Sequence, residues 1–184
     1  MAIGLYLSGG ADSALLLQQM EAPVVCLTVA SKERDHNVQA SKDIIRWISN
    51  NTDVEVLEHY IAIADTEADR PTIRMQAREM LTEVYGIWYW RSGKTRNPDV
   101  VLEHHEQRKS DRDTDLKLWN KDQHNPFWDK NKKQLYEIYN KNNILDLWDL
   151  TVSCEVSVPP CNNCWWCMER SWAENSCNLS QPVV

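Results

Sequence analysis

"LYLSGGADSALLL" at residues 5–17 decides the fold of this 184-residue chain, because an apolar run passes into a helical pattern through a short polar turn. That turn is made of Ser8, Gly9, Gly10, Asp12 and Ser13. Glycine, aspartate and serine are common in turns and helix caps, so a plain strand-to-helix connection is one interpretation. A loop that wraps a phosphate is the other interpretation, and the chemistry of the remaining sequence distinguishes them.

The first 90 residues alternate between short apolar runs and helical patterns. We predict strands at 2–7, 23–29, 54–60 and 86–90, and helices at 12–20, about 37–49 and about 72–85. This alternation is typical of an α/β fold in which helices cover both faces of a parallel sheet. Ligands bind such sheets at the edge formed by the carboxyl ends of the strands. We therefore expect the turn at residues 8–13 to lie at a ligand site.

Composition and charge restrict the class of function. An apolar fraction of 42% and a charged fraction of 26% are ordinary for a folded soluble protein. The formal charge of −7 argues against broad affinity for nucleic acid, which requires a basic face. The sequence has no apolar stretch of about 20 residues and no signal-peptide pattern at its start. We predict a cytoplasmic protein that binds no membrane and no nucleic acid directly.

The turn has the chemistry of a phosphate loop. Gly9 and Gly10 allow the backbone to approach an anion, and Ser8 and Ser13 offer hydroxyl donors. The first turn of the following helix adds unpaired N–H groups and partial positive charge. Asp12 would repel a phosphate unless a cation lies between them, so we expect Mg²⁺ there. The spacing matches neither the Walker loop nor G-x-G-x-x-G.

The C-terminal part of the chain contains a second pattern, "SCEVSVPPCNNCWWCMER" at residues 153–170. Cys154, Cys161, Cys164 and Cys167 have the spacing C-x6-C-x2-C-x2-C. Four thiolates satisfy tetrahedral Zn²⁺ and close its coordination sphere, so the zinc would be structural. An iron–sulfur cluster is the alternative. We predict an α/β domain over 1–150 and a zinc region over 151–184 within one compact unit.

The two remaining cysteines are predicted to lie outside this cluster. Cys26 falls in a predicted strand, so we expect it in the core, and Cys177 is expected to be an exposed residue of the tail. The adjacent His104 and His105 do not face each other on a helix, so we interpret them as solvated rather than metal-binding. Residues 91–125 are rich in charge and amides, which fits either a solvated helix with loops or a mobile flap.

Together the two patterns resemble a known family. S-G-G-x-D-S after an N-terminal strand is similar to the pyrophosphatase loop of the N-type ATP pyrophosphatases, and with the four cysteines it resembles the 7-cyano-7-deazaguanine synthases. "NPFWDKNKKQLYEIYNKNNILDLWDLTVSC" at 125–154 looks like that family's Pro-led segment with an Asp-Lys pair, a helix, a linker and the first zinc cysteine. Residues 90–99, "WRSGKTRNPD", keep only Ser92-Gly93 and Pro98-Asp99 of the family's substrate region.

The resemblance implies a Rossmann-like (HUP-type) sheet and an ATP-dependent ligase. The carboxylate of 7-carboxy-7-deazaguanine would attack the α-phosphate of ATP and release pyrophosphate. Ammonia would then displace AMP to give the amide, and a second ATP would activate the amide for dehydration to the nitrile. A homodimer is compatible with this function.

The resemblance also implies roles for individual residues. The residues at 8–13 would hold pyrophosphate, with Asp12 and Ser13 counted as catalytic. Lys130, in the Asp-Lys pair, is the candidate cation for phosphate oxygens, although a solvated lysine beside a helix explains it equally well. Arg34 and Arg74 are further candidate cations that surface charge also explains. Leu27, Thr28 and Val29 would flank the adenine.

Three other functions remain open from the sequence. A ligase of the same superfamily could adenylate a different carboxylate, and the altered region at 90–99 is where a change of acceptor would occur. The enzyme could stop at the amide. A tRNA-modifying sulfur-transfer enzyme shares the loop, but it would require a basic RNA-binding face.

Overall fold

Four strands alternate with three helices over residues 1–92 of the computed structural model, which describes residues 1–102 and 124–178. The elements in this part are β1 (Ile3–Tyr6), α1 (Ala11–Gln18), β2 (Val24–Ser31), α2 (His36–Asn51), β3 (Val56–Ala64), a 3-10 turn (Glu67–Asp69), α3 (Arg70–Tyr85) and β4 (Trp90–Ser92). The later elements are α4 (Lys132–Lys141), α5 (Leu145–Asp149) and α6 (Trp165–Asn178).

Within the described residues the strands form one sheet in the order β3-β2-β1-β4, and every neighbouring pair is parallel. All eight residues of β2 are buried, as expected for an inner strand of a parallel sheet. The predicted α/β fold with a parallel sheet is therefore confirmed. The strand order reverses at β1, since β2 and β3 lie on one side of β1 and β4 on the other.

Apolar side chains pack on both faces of the sheet. On β2, Val24 and Cys26 join one cluster while Val25, Leu27 and Val29 join the other, as the two-residue period of a strand requires. The first cluster packs against α1, α2, α4 and α5, and its largest fully buried members are Tyr139 and Trp148. The second packs against α3 through Ala77 and Leu81.

One predicted strand is wrong over most of its length. The apolar run at 86–90 is an irregular connection, and β4 begins only at Trp90. Gly86 is the cause: its φ of +59° places it in the left-handed region that ends α3, and the Ile87 N–H then bonds back to the Thr82 carbonyl. Ile87 is still buried in the second cluster, so its apolar character reflects packing rather than a strand.

The C-terminal helix α6 is anchored to the α/β core. Arg170 donates hydrogen bonds to the carbonyls of Thr151 (2.9 Å) and Trp148 (3.0 Å), and its guanidinium lies 4.7 Å from the centre of the Trp148 ring. Trp148 in turn donates from Nε1 to Glu174 of α6 at 2.8 Å. The contacts that Trp148 makes with Arg170 and Glu174 cross the predicted boundary between residues 150 and 151.

Candidate functional site

The polar turn of residues 8–13 lies at the carboxyl edge of the sheet and comprises the connection after β1 and the first turn of α1. Gly9 has a φ of +78°, and a Cβ built there would lie 2.8 Å from the Asn37 carbonyl oxygen. Gly10 caps α1 with an ordinary φ of −91°, and a Cβ there would meet nothing closer than 3.4 Å. The backbone therefore requires glycine at position 9 but not at position 10.

We expect Gly9→Ala to lower the free energy of unfolding by about 2 kcal/mol or more, because a left-handed alanine is strained and its methyl group collides with backbone. Gly10→Ala is the matched variant in the same loop, and we expect it to change stability by less than about 1 kcal/mol. Urea unfolding of both variants measures the difference. Equal losses would contradict the backbone geometry of this loop.

Hydrogen bonds within the turn give its two serines different surroundings. Ser13 is 2% exposed; its hydroxyl donates to the Gly10 carbonyl at 3.0 Å and accepts the Ser8 N–H at 3.1 Å. Ser8 is exposed, and its Oγ lies 3.0 Å from the Ser13 Oγ. The Ser8 Oγ also accepts the Gly10 N–H at 3.3 Å. Ser13 thus fixes the shape of the loop, while the exposed Ser8 hydroxyl must turn from Ser13 to meet a ligand.

A cavity of about 240 Å³ adjoins this turn. It is lined by groups from β-strand ends and from the cysteine region, including cations, carboxylates and loop backbone. The residues are Ser8, Gly10, Ala11, Asp12, Arg34, His36, Asn37, Arg70, Gly93, Lys132, Val152, Ser153, Cys154, Glu155, Trp166 and Glu169. The two parts of the sequence that carry recognisable patterns therefore meet at one cavity.

Asp12 is the centre of a short charged network in this cavity. Its Oδ1 accepts a hydrogen bond from Lys132 Nζ, and its Oδ2 accepts one from Thr95 Oγ1 at 3.1 Å. The Lys132 side chain is only 9% exposed, and its Nζ lies 4.0 Å from Oε2 of Glu169, which is 1% exposed. A compact ammonium thus lies between two carboxylates at the N-terminal end of α1.

The cation that the structure brings to the loop is Lys132, not the candidate Lys130. Lys130 pairs with the adjacent Asp129 at 3.0 Å, and its side chain is 34% exposed. Asn131 caps α4 through its side chain and a capping box with Gln134, so α4 begins at Lys132. Sequence reasoning missed Lys132 because the Asp-Lys pair drew attention to its neighbour two residues earlier.

Gly93 holds the loop after β4 close to the start of α1. A Cβ on Gly93 would lie 2.4 Å from the Asp12 carbonyl oxygen, so the two backbones are in contact. This approach brings Thr95 within hydrogen-bond distance of the Asp12 carboxylate. Neither residue was among the candidates from the sequence.

Two arginines, Arg34 and Arg70, also line the cavity. Arg34 lies 4.0 Å from Oε2 of Glu67 and 3.7 Å from Glu155, and Arg70 donates to Glu67 at 2.9 Å. The Ser31 hydroxyl donates to Glu67 and lowers the pKa of that carboxyl, and both arginines lower it further. Glu67 therefore stays ionised and keeps both guanidinium groups at this edge. Arg34 lies where a ligand-binding cation is expected.

The residues predicted to flank adenine have different surroundings. Leu27 is buried in the second apolar cluster, and the Thr28 hydroxyl donates to the Leu7 carbonyl at 2.7 Å. Val29 lines a second cavity of about 320 Å³ together with Arg70 and the predicted candidate Arg74. Within the part of the chain that the structure describes, Val29 is the one member of this trio that lines either the first or the second cavity.

The four cysteines of the C-terminal region form a cluster. Within the described residues, the sulfur atoms of Cys154, Cys161, Cys164 and Cys167 all lie within 4.8 Å of one another. Thiolates at that separation could hold one metal ion such as zinc. The predicted grouping of these cysteines is therefore confirmed, and Cys177 lies on α6 outside the group. Cys177 is half-buried rather than exposed.

Backbone N–H groups surround the sulfur of Cys154. Val156, Ser157 and Cys161 donate to it at 3.3–3.4 Å. Burial raises the pKa of this thiol, but the three N–H groups outweigh burial and bring the pKa down to about 6. Hydrogen bonds that stabilise a thiolate are what a cysteine metal ligand requires.

The cysteine region touches the polar turn of residues 8–13 directly. The Val152 N–H donates to the Gly9 carbonyl at 2.9 Å, and His36 Nε2 lies 2.8 Å from the Cys154 carbonyl oxygen. The first cysteine is thus tied to both α2 and the loop. Cys26, by contrast, is fully buried in the first apolar cluster, as predicted.

Comparison of the chain with protein-family models and with curated proteins finds no match. In the part of the chain that the structure describes, no helix is both long and apolar enough to cross a membrane. His104 and His105, together with most of the predicted flap, lie outside the described residues.

Proposed function

We propose that this chain is an ATP-dependent ligase similar to the 7-cyano-7-deazaguanine synthases, with the Rossmann-like (HUP-type) fold of the N-type ATP pyrophosphatases. The observation that carries the proposal is the meeting of the S-G-G-x-D-S loop and the four-cysteine region at one cavity. The strand order supports it, because ligands of doubly wound sheets bind where the order reverses, here between β1 and β4.

The cavity chemistry suits a polyphosphate. The N-terminal end of α1 offers N–H groups and partial positive charge, and Ser8 offers a hydroxyl. Lys132, Arg34 and Arg70 bring positive charge to an otherwise acidic protein. Arg70 also lines the second cavity, together with Val29. That neighbouring cavity provides the space for the nucleoside.

Asp12 fits a magnesium ion, because Mg²⁺ in nucleotide sites binds through one or two carboxylates together with phosphate oxygens. When bound, the ion would neutralise charge on the pyrophosphate. Asp12 would provide the carboxylate, with Thr95 fixing its second oxygen. Lys132 would release Asp12 and donate to phosphate oxygens.

The cysteine cluster fits zinc, since four thiolates close a tetrahedral sphere and leave no position for a substrate. We therefore assign it a structural role, in which it holds the residues from Cys154 to the first two turns of α6 beside the loop. Those residues include Trp166 and Glu169, which line the cavity.

The reaction requires positioning more than covalent help from the protein. A carboxylate oxygen of 7-carboxy-7-deazaguanine attacks the α-phosphorus of ATP, the bond to the bridging oxygen breaks, and pyrophosphate leaves. Ammonia then attacks the activated carbonyl carbon, and AMP leaves with formation of the amide. A second ATP activates the amide oxygen for dehydration to the nitrile.

The test is incubation of the purified protein with ATP, Mg²⁺, ammonium and 7-carboxy-7-deazaguanine, with the products identified by mass spectrometry. AMP, pyrophosphate and the nitrile are expected, and the amide alone would show that the enzyme stops one step earlier. AMP release with another carboxylate, but not with 7-carboxy-7-deazaguanine, would show that the ligase acts on a different acceptor. No nucleotide binding at all would overturn the proposal.

A further inference from the structure

Glu169 is a buried carboxylate that belongs to α6, two residues after Cys167. At 1% exposure it has lost almost all contact with water, and a carboxylate so placed requires cations or hydrogen-bond donors nearby. The Lys132 ammonium is a cation of this kind, with 4.0 Å between Nζ and Oε2. Glu169 thus connects the cysteine region to the phosphate loop through one lysine.

The Lys132 ammonium contacts two carboxylates, those of Glu169 and Asp12. Its Nζ hydrogen-bonds to Asp12 Oδ1, and both carboxylates approach from different elements, α1 and α6. An ammonium carries three N–H donors on a flexible stem, so it can keep one donor towards Glu169 while the others turn to an anion in the cavity.

We propose that Glu169 is a positioning residue that keeps the Lys132 ammonium at the cavity when Asp12 turns to a bound Mg²⁺. This inference rests on the proposed function, in which Asp12 meets the cation and Lys132 meets phosphate. With a neutral amide at position 169, the ammonium loses the second carboxylate and stays on Asp12. Mg²⁺ must then displace the Lys132 ammonium from an ion pair that it forms with Asp12 alone.

The test is calorimetric titration of the full-length protein with inorganic pyrophosphate, with and without Mg²⁺. In Glu169→Gln we expect the affinity measured with Mg²⁺ to fall about tenfold, because the 4.0 Å ion pair that keeps the ammonium at the cavity is lost. Without Mg²⁺ the affinity is expected to stay within about twofold or to rise, because removal of a negative charge does not weaken anion binding. Glu137→Gln, an exposed glutamate of α4, is the control and should change neither value.

The split between the two conditions separates positioning from general damage. An equal loss with and without Mg²⁺, or no loss, overturns the inference while the wild-type binding still supports the proposed function. Absence of pyrophosphate binding by the wild type overturns both. If Glu169→Gln does not fold, Glu169→Asp keeps the charge on a shorter side chain. It should then show a smaller, about threefold loss confined to the Mg²⁺ condition.

Discussion

Replacement of Cys164 by serine is expected to abolish the proposed zinc binding and to lower the thermal unfolding midpoint by about 6–12 °C. Structural zinc contributes about 10–16 kcal/mol of apparent binding free energy in small zinc domains. A loss of only about 3 kcal/mol of that binding free energy gives this shift, because the midpoint of a chain of this size changes by about 2–4 °C per kcal/mol. Metal analysis by mass spectrometry and a thermal melt measure the two effects.

The control for this variant is a cysteine outside the cluster. Cys177 is half-buried on α6, and its sulfur is 4.0 Å from the Lys133 carbonyl oxygen, outside the cluster. Cys177→Ser should therefore keep one metal per chain and an unfolding midpoint within about 2 °C of the wild type. Iron and sulfide in place of zinc would identify the iron–sulfur alternative. A metal-free wild type purified under reducing conditions would contradict the metal assignment.

Loss of the metal should destabilise the α/β core as well as the cysteine region. The Cys154 carbonyl accepts a hydrogen bond from His36, and the Val152 N–H donates to the Gly9 carbonyl, so the cysteine region contacts both α2 and the turn at residues 8–13. Arg170 adds three hydrogen bonds from α6 to residues before it, two to Thr151 and one to Trp148. We therefore expect the melt of Cys164→Ser to remain a single transition rather than to split into separate tail and core steps.

The local patterns of the sequence predicted much of this architecture. The parallel sheet followed from alternating apolar runs, and the cysteine cluster followed from two-residue gaps that place thiols within reach of one another. Both depend on residues close together in the chain. The strand predicted at 86–90 was wrong because a packed apolar run and a strand look alike, and because the helix-ending role of Gly86 was not used.

Contacts between distant segments could not be predicted in the same way. Lys132 reaches Asp12 across 120 positions, and Gly93 reaches the Asp12 backbone through close packing of two loops. One local signal for Lys132 did exist: Asn131 followed three residues later by Gln134 is a capping pattern that starts a helix. It would have placed Lys132, not Lys130, in the first turn of α4.

Thr28 shows another long-range contact that the sequence does not reveal. Its position near the end of the predicted strand 23–29 makes it a candidate beside adenine, and its hydroxyl lies 2.9 Å from His59 Nε2 and donates to the Leu7 carbonyl. Burial lowers the pKa of His59, so the neutral ring can hold this position inside the sheet. A buried polar residue on a strand is often satisfied by the sheet itself.

Lys132→Met is expected to lower the rate of AMP formation by about 10²–10³-fold, the usual effect of removing one donor from developing charge in an enclosed site. The same change leaves the carboxylates of Asp12 and Glu169 close together without this ammonium, and breaking such a buried pair costs about 3–5 kcal/mol. Stability must therefore be measured beside the rate, by urea unfolding and by AMP release under conditions where the variant stays folded.

Three further lysine variants separate charge, position and chemistry. Lys132→Arg keeps the positive charge and should keep most of the stability, but its planar fork does not replace a compact ammonium between two carboxylates, so the rate should still fall at least about tenfold. Lys133→Met removes a surface pair with Glu137 at 3.8 Å and should leave the rate within about twofold. Lys130→Met tests the assignment made from the sequence: a large loss there, with Lys132→Met still active, would move the phosphate-binding cation back to Lys130.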